Sequence, residues 1–163
     1  MEVTLKNPKT FKGREGIGLN ATVFVNGEKC FYYIDQADGG ISYHVPIYNK
    51  ELYEKLKEYA ASLPKEKSED DFELQPDIDT LVNKAHAAYE IEKSDKRMMK
   101  KTESHIVLSS GKGEYAYAKW GNLGLQKVIE SWPEKVKEKI AYMKSKYPGW
   151  KLLNTNIPAE LLN

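Results

Sequence analysis

The chain is short of the residues that carry most protein chemistry. Its 163 residues include one cysteine, Cys30, and three histidines, His44, His86 and His105. A lone thiol excludes an intramolecular disulfide framework and the small secreted scaffolds built on one. No apolar run approaches the eighteen or so residues of a membrane span. The opening MEVTLKNPKTFKG holds no apolar signal-peptide region. These absences set the expectation of a protein of the reducing cytosol with no membrane segment. With 40% hydrophobic and 30% charged residues, a modest core under a heavily charged surface is expected.

Charge of one sign is also scarce overall, but not locally. The net formal charge is +1, yet residues 1–92 hold 11 Lys/Arg against 17 Asp/Glu, and residues 93–151 hold 14 against 6. A basic segment of this kind suits an anionic partner, and it equally suits attraction to the acidic half.

What is present is a strong hairpin signal. Asn26-Gly27 lies between alternating apolar runs, and a type I′ turn requires φ > 0 at both central residues. An unbroken ladder from that turn sorts Leu19, Ala21, Val23, Cys30, Tyr32 and Ile34 onto a core face. It leaves Asn20, Thr22, Phe24, Lys29, Phe31 and Tyr33 on the other. Phe24, Phe31 and Tyr33 are therefore expected to form an aromatic surface for a partner. Val3–Leu5 reads as a short edge strand, 8–18 as a glycine-rich loop, and Ile41–Val45 as a third strand.

Asn49 is placed to cap a helix running to about Ser62, and Ile78 to about Lys101 reads as a long helix burying Leu81, Val82, Ala85, Ala88, Tyr89 and Met98. Between them, 64–76 is an acidic connector in which Phe72 and Leu74 suggest packing. A second hairpin (His105–Ser109, Tyr115–Trp120) and a short helix with Leu125, Val128 and Ile129 follow. A last helix then buries Val136, Ile140, Met143 and Tyr147, with Ser131 to Glu134 at capping-box spacing. Trp150–Leu153 reads as a returning strand. The pattern is α+β: an N-terminal antiparallel meander packed with helices, then a small hairpin and an amphipathic helix. One domain over 1–163 is expected, with a sheet-rich segment over 1–63, the connector, and a basic helical segment over 77–163.

Motifs with chemical associations lack their contexts. The glycines of 13–18 precede a strand instead of opening a helix, so a dinucleotide loop is disfavoured, although Arg14 remains able to meet an anion. Residues 109–114 fit a hairpin turn better than a Walker loop. Asp35 to Gly40 lacks the alternating ligands of a calcium loop and fits Asx turns. The histidines fall on three elements without metal spacing, and Cys30 falls on the core face. No acid, base or nucleophile is assignable, so no catalytic residue, metal or cofactor is expected. The basic segment offers Lys96, Arg97, Lys100 and Lys101, with lysines of the last helix, for phosphates. Tyr115, Tyr117 and Trp120 are available for stacking. Dominance of lysine over arginine argues against reading of base edges.

Val23 to Lys29, Asp35, Asp38-Gly39-Gly40, Lys96 to Lys101, Ile106 to Leu108, Gly113-Glu114-Tyr115, Lys146 to Gly149 and Leu153-Asn154 together resemble a small family of bacteriophage and prophage proteins. The chain departs from it at Gln36-Ala37, where a further glycine is usual. The resemblance implies a phage accessory protein of the host bacterial cytosol and carries no catalytic residues. The expectation is a non-enzymatic binder of a host protein, in particular an inhibitor of an antiviral defence system. The alternative is a nucleic-acid or nucleotide binder using the basic half. A nucleotide-cleaving enzyme is a third reading, and a homo-oligomer stays open.

Overall fold

A computed structural model describes residues 1–67 and 71–162. The chain divides into two compact units, Met1–Tyr89 and Glu90–Asn163. The α+β pattern holds in both.

In the first unit, β1 (Val3–Lys12), β2 (Ile17–Val25), β3 (Glu28–Asp35) and β4 (Tyr43–Ile47) form an antiparallel sheet in that order. The Asn26-Gly27 turn forms with φ of 50° and 81°. The register then departs from the unbroken ladder. Phe24 pairs with Lys29, but Val23 pairs with Phe31, so Cys30 is an extra residue. A bulge of one residue transfers every later side chain of β3 to the opposite face. Phe31 and Tyr33 are consequently 0% and 2% exposed in the core, and Tyr32 and Ile34 are half-buried on the outer face. The bulge is matched by a contact from further along the chain. The Cys30 carbonyl accepts from the Tyr48 and Asn49 amides at 2.8 and 3.1 Å, tying β3 to the start of the first helix.

That helix, α1 (Lys50–Ser62), is capped by Asn49, whose side chain accepts from the Leu52 amide at 3.0 Å. Its Leu56 and Ala60, with Ile78, Leu81 and Val82 of α2 (Ile78–Lys101), cover Leu5, Ala21, Val23, Val25, Phe31 and Tyr33. Each fully buried ring or branched side chain contributes roughly 1.5–3 kcal/mol.

Several expectations are corrected. β1 extends to Lys12, because a bulge around Asn7 (φ 53°) absorbs Pro8. Gly13 and Gly16 thus lie in a hairpin turn closed by Gly13 N to Gly16 O at 2.9 Å, and Gly18 is already in β2. The third strand lies two residues later than expected. The connector contains a two-rung ladder, β5 (Glu66–Lys67) with β6 (Glu73–Leu74). Phe72 and Leu74 are exposed there, and Glu69 and Asp70 lie outside the described residues. Ala88 is exposed on α2.

In the second unit, β8 (Tyr115–Ala118), β7 (Ile106–Ser109) and β9 (Lys151–Leu152) form an antiparallel sheet with β7 central. α3 (Leu125–Ser131) and α4 (Pro133–Lys146) supply Leu125, Val128, Ile129, Val136, Ile140 and Met143 to a core with Ile106, Leu108 and Ala116. The expected capping box is absent: Trp132 is the N-cap of α4 and makes no side-chain capping bond. Pro133 at the first helical position starts the helix instead, its fixed φ being already helical. No described helix is long and apolar enough to cross a membrane.

Candidate functional site

β8 is an edge strand of the second unit, and α4 lies alongside it. Its helical spacing buries Val136, Ile140 and Met143, which leaves Lys135, Lys139, Tyr142 and Lys146 on the remaining surface. Two adjoining cavities result, of about 400 and 340 Å³, sharing Lys139 and Tyr142. The first runs between Tyr115, Tyr117 and the α4 residues Lys139, Tyr142, Lys146 and Tyr147. The second adds Lys119, Trp120 and Lys135, and among the described residues Glu138 is the one carboxylate lining either cavity. Tyr117 and Tyr142 are 54% and 56% exposed, enough to offer a ring face.

The site is electropositive. The second unit carries 14 Lys/Arg against 9 Asp/Glu. Lys101 Nζ lies 4.1 Å from the Tyr117 ring centroid and Lys139 Nζ 5.1 Å from that of Tyr142. Beside them His105 meets Tyr117 edge to face at 5.6 Å. Burial, then Lys101 and Lys119, hold its imidazole below the ordinary histidine range. The two lysines add to the effect of burial, as cations beside an imidazole disfavour its charged form.

The expected residues divide. Tyr115, Tyr117 and Trp120 line the cavities, and Lys101 reaches Tyr117. Tyr115 is anchored, its hydroxyl donating to Asp95 Oδ1 at 2.5 Å, and burial followed by that bond pushes its phenol up to about 12. Lys96, Arg97 and Lys100 are exposed on α2 outside the cavity walls, with Lys96 paired to Glu92 at 2.5 Å. Arg14 stands in the β1–β2 turn of the first unit. Phe31 and Tyr33 are core residues and offer no partner surface; Phe24 is half-buried with Lys6 over its ring at 5.7 Å. Tyr142, Lys119 and Tyr147 escape a reading of the sequence as site residues. The i, i+3, i+4, i+7 set Lys135, Glu138, Lys139, Tyr142 is the signal available for the first of these.

The first unit holds a second arrangement of functional groups that spacing does not reveal. Ser42, immediately before β4, and His44 within it meet Asp79 from the first turn of α2. Ser42 Oγ donates to Asp79 Oδ1 and Oδ2 at 2.6 and 2.8 Å. His44 Nε2 is 3.2 Å from Asp79 Oδ1, and its Nδ1 is 2.7 Å from the Tyr53 hydroxyl. The His44 bond, then that of Ser42, holds the Asp79 carboxyl below the usual range against the effect of burial. Burial, then Asp79, raises the Tyr33 phenol to about 12. The trio is not a hydrolytic triad. There the carboxylate orients the imidazole from Nδ1, whereas here it shares Nε2 with the serine. Cys30 is no nucleophile either, since burial, then Glu28, lifts its thiol to about 11.

The Asp35 to Gly40 segment is a pair of Asx turns, Asp35 accepting from the Ala37 amide at 2.8 Å and Asp38 from Gly40 at 3.0 Å. Among the described residues no group of His, Cys, Asp or Glu is arranged to hold a metal ion. No protein-family model matches the chain, and no curated protein or solved structure matches it either.

Proposed function

We propose that the chain binds single-stranded nucleic acid along the groove between β8 and α4. One observation carries the reading: Lys119, Lys135, Lys139 and Lys146 line the same two adjoining cavities as Tyr117, Tyr142 and Trp120, with a single carboxylate among them. Lysines along a groove follow phosphates, and exposed rings give each base a face on which to stack, at about 1–3 kcal/mol per base. Lysine is a point charge without the planar fork that reads guanine, so binding is expected to be indifferent to sequence. The lateral access along an edge strand suits a flexible strand better than a duplex.

The test is fluorescence anisotropy of labelled oligothymidylate and oligoadenylate strands, with the corresponding duplex as competitor. The expected result is single-strand binding that weakens steeply with salt and falls at least tenfold in Lys139→Glu and Tyr142→Ala. Affinity unmoved by both substitutions sinks the reading.

A second reading, a protein partner at the first unit, is favoured by a different observation. Ile41, Tyr43 and Val45 are exposed along the edge strand β4 and the turn before it, at 81%, 49% and 61%. With the phage provenance that the sequence resemblance implies, that partner is a host protein of the antiviral defence. Nuclease-treated pull-down from host lysate separates the two: a stoichiometric protein retained after nuclease supports this reading, and recovery of nucleic acid alone supports the first.

A further inference from the structure

The cavity beside His44, of about 410 Å³, has a polar wall whose protons are all committed inward. Asp79 is ionised and can only accept, so Ser42 gives it the hydroxyl proton and His44 carries its ring proton on Nε2, facing the same carboxylate. The ring's Nδ1 lies 2.7 Å from the Tyr53 hydroxyl, so both ring nitrogens are engaged within the wall. What the wall has left to offer is lone pairs. A carboxylate has about four acceptor positions, and Ser42, His44 and the Tyr33 hydroxyl together bring three protons to Asp79, which leaves a position open beside the free oxygen of the next carboxylate. Asp77 adds a second carboxylate, occupied at Oδ1 by the Thr80 amide and hydroxyl.

The charge balance agrees. Among the described residues Lys57 is the one lysine or arginine lining the cavity, and its ammonium is engaged by Glu54 at 3.0 Å. Asp77 and Asp79 therefore leave the wall negative. The lining also includes the apolar side chains of Ile41, Ala60, Ala61 and Ile78. The volume falls at the small end of the roughly 300–1,000 Å³ typical of ligand pockets.

We propose that this cavity binds a small organic cation, a primary ammonium or guanidinium on a short alkyl stem, with its head on Asp79 and its stem along Ala60, Ala61 and Ile78. An alcohol offers one proton and no charge, and a carboxylate meets two like charges. Only a cationic donor of several protons answers both the acceptor surplus and the negative balance. The head group belongs either to a free alkylamine or to a lysine or arginine side chain of a peptide, the recognising chemistry being the same.

The test is isothermal titration and amide-shift mapping on the full chain with n-butylguanidinium and n-butylammonium, with n-butanol and n-butyrate as controls of equal stem. Saturable one-site binding of at least one cation, with shifts centred on Ser42, His44, Tyr53 and Asp79 and controls at least tenfold weaker, is expected. Asp79→Asn should lower affinity at least tenfold. Because that change also alters a structural bond, Ala61→Leu serves as a second variant: it narrows the cavity from an exposed turn of α1 and should weaken binding severalfold with the amide spectrum otherwise intact. N-acetyl-arginine amide and N-acetyl-lysine amide bound as tightly as the free cations identify a peptide side chain as the source; weaker binding identifies a free amine. Butyrate binding as well as either cation, shifts spread over the acidic connector, or an Ala61→Leu variant of unchanged affinity overturns the proposal.

Discussion

Asn154 holds the central strand of the second unit in place through Val107: its side-chain oxygen accepts from the Val107 amide at 2.8 Å. Its amide group donates to the carbonyls of Thr102 and His105 at 3.1 and 2.8 Å. One buried side chain thus satisfies two carbonyls on the segment that joins α2 to β7 and one amide within β7. Substitution by leucine keeps the approximate shape and removes the Asn154 partner from all three. Urea unfolding of Asn154→Leu should show a loss of about 2–4 kcal/mol, since each buried orphan costs about 1–3 kcal/mol before relaxation. A loss under about 0.5 kcal/mol would falsify this role.

Salt dependence distinguishes lysines that line the groove from those that do not. Each phosphate neutralised on a single strand contributes a slope of about 0.7 to log K against log salt. Lys139→Ala and Lys146→Ala should each flatten the slope by about that amount. Lys96→Ala should leave it unchanged, because Lys96 sits outside the cavity walls and faces Glu92. Equal effects from all three mean that affinity follows net charge and not the groove. Tyr142→Ala should lower affinity about tenfold or more with the slope intact, since stacking releases no counterion.

The bulge at Cys30 makes opposite predictions for neighbouring aromatics. Phe31→Ala should destabilise the first unit by about 3–5 kcal/mol, the cost of deleting a buried ring, and Tyr32→Ala by under about 1 kcal/mol. An unbroken ladder reverses that order. The thiol supplies an independent reading: with Cys30 fully buried and its thiol raised to about 11, a disulfide reagent should react only as fast as the chain opens. Rapid stoichiometric labelling of the native protein contradicts the register.

The bulge also marks where the sequence stops being legible. Asn26-Gly27 and the Asn49 cap are readable because turn and cap chemistry is local: a φ sign in one case, a side-chain acceptor in the other. The bulge answers to Tyr48 and Asn49, eighteen residues or more from Cys30, and no alternation pattern encodes that contact. The same holds for His44. It reads as a solitary histidine because Asp79 lies thirty-five residues away, and only the packing of α2 against the sheet joins them. In the groove, composition announces the lysines and β8 announces its tyrosines. Their convergence depends on α4 lying beside an edge strand, which periodicity alone does not specify. Ser131-Trp132-Pro133-Glu134 fails in the other direction, a valid local motif overridden by the proline inside it.

Asp79 should make the first unit acid-sensitive. The His44 and Ser42 bonds hold its carboxyl below the ordinary value of 3.8. Between the folded and unfolded values the unfolded chain binds the extra proton, so stability rises with pH there. The contribution is complete above about 3.8 and is lost as pH falls through the lower folded value. Urea titrations of wild type and Asp79→Asn should therefore differ most above about pH 4 and converge as pH falls through the lowered folded value. A constant difference across that range assigns the effect of the substitution to packing and not to the ionised carboxylate.

His105 should report occupancy of the groove. Burial, Lys101 and Lys119 disfavour its cation in the free protein, so the unfolded chain takes up a proton before the folded one, and stability rises with pH from the folded value to about 6.5. Phosphates drawn in beside Lys101 and Lys119 cancel the cationic part of that penalty. The imidazole should then titrate at higher pH in the complex than in the free chain, and by linkage the affinity for a single strand should rise as pH falls through this window. Ring-proton NMR of His105 with and without oligothymidylate measures the first effect, and anisotropy at two pH values measures the second. Lys119→Ala should raise the free-protein value and shrink the change on binding. A titration midpoint unmoved by a strand that binds places that strand away from β8 and α4.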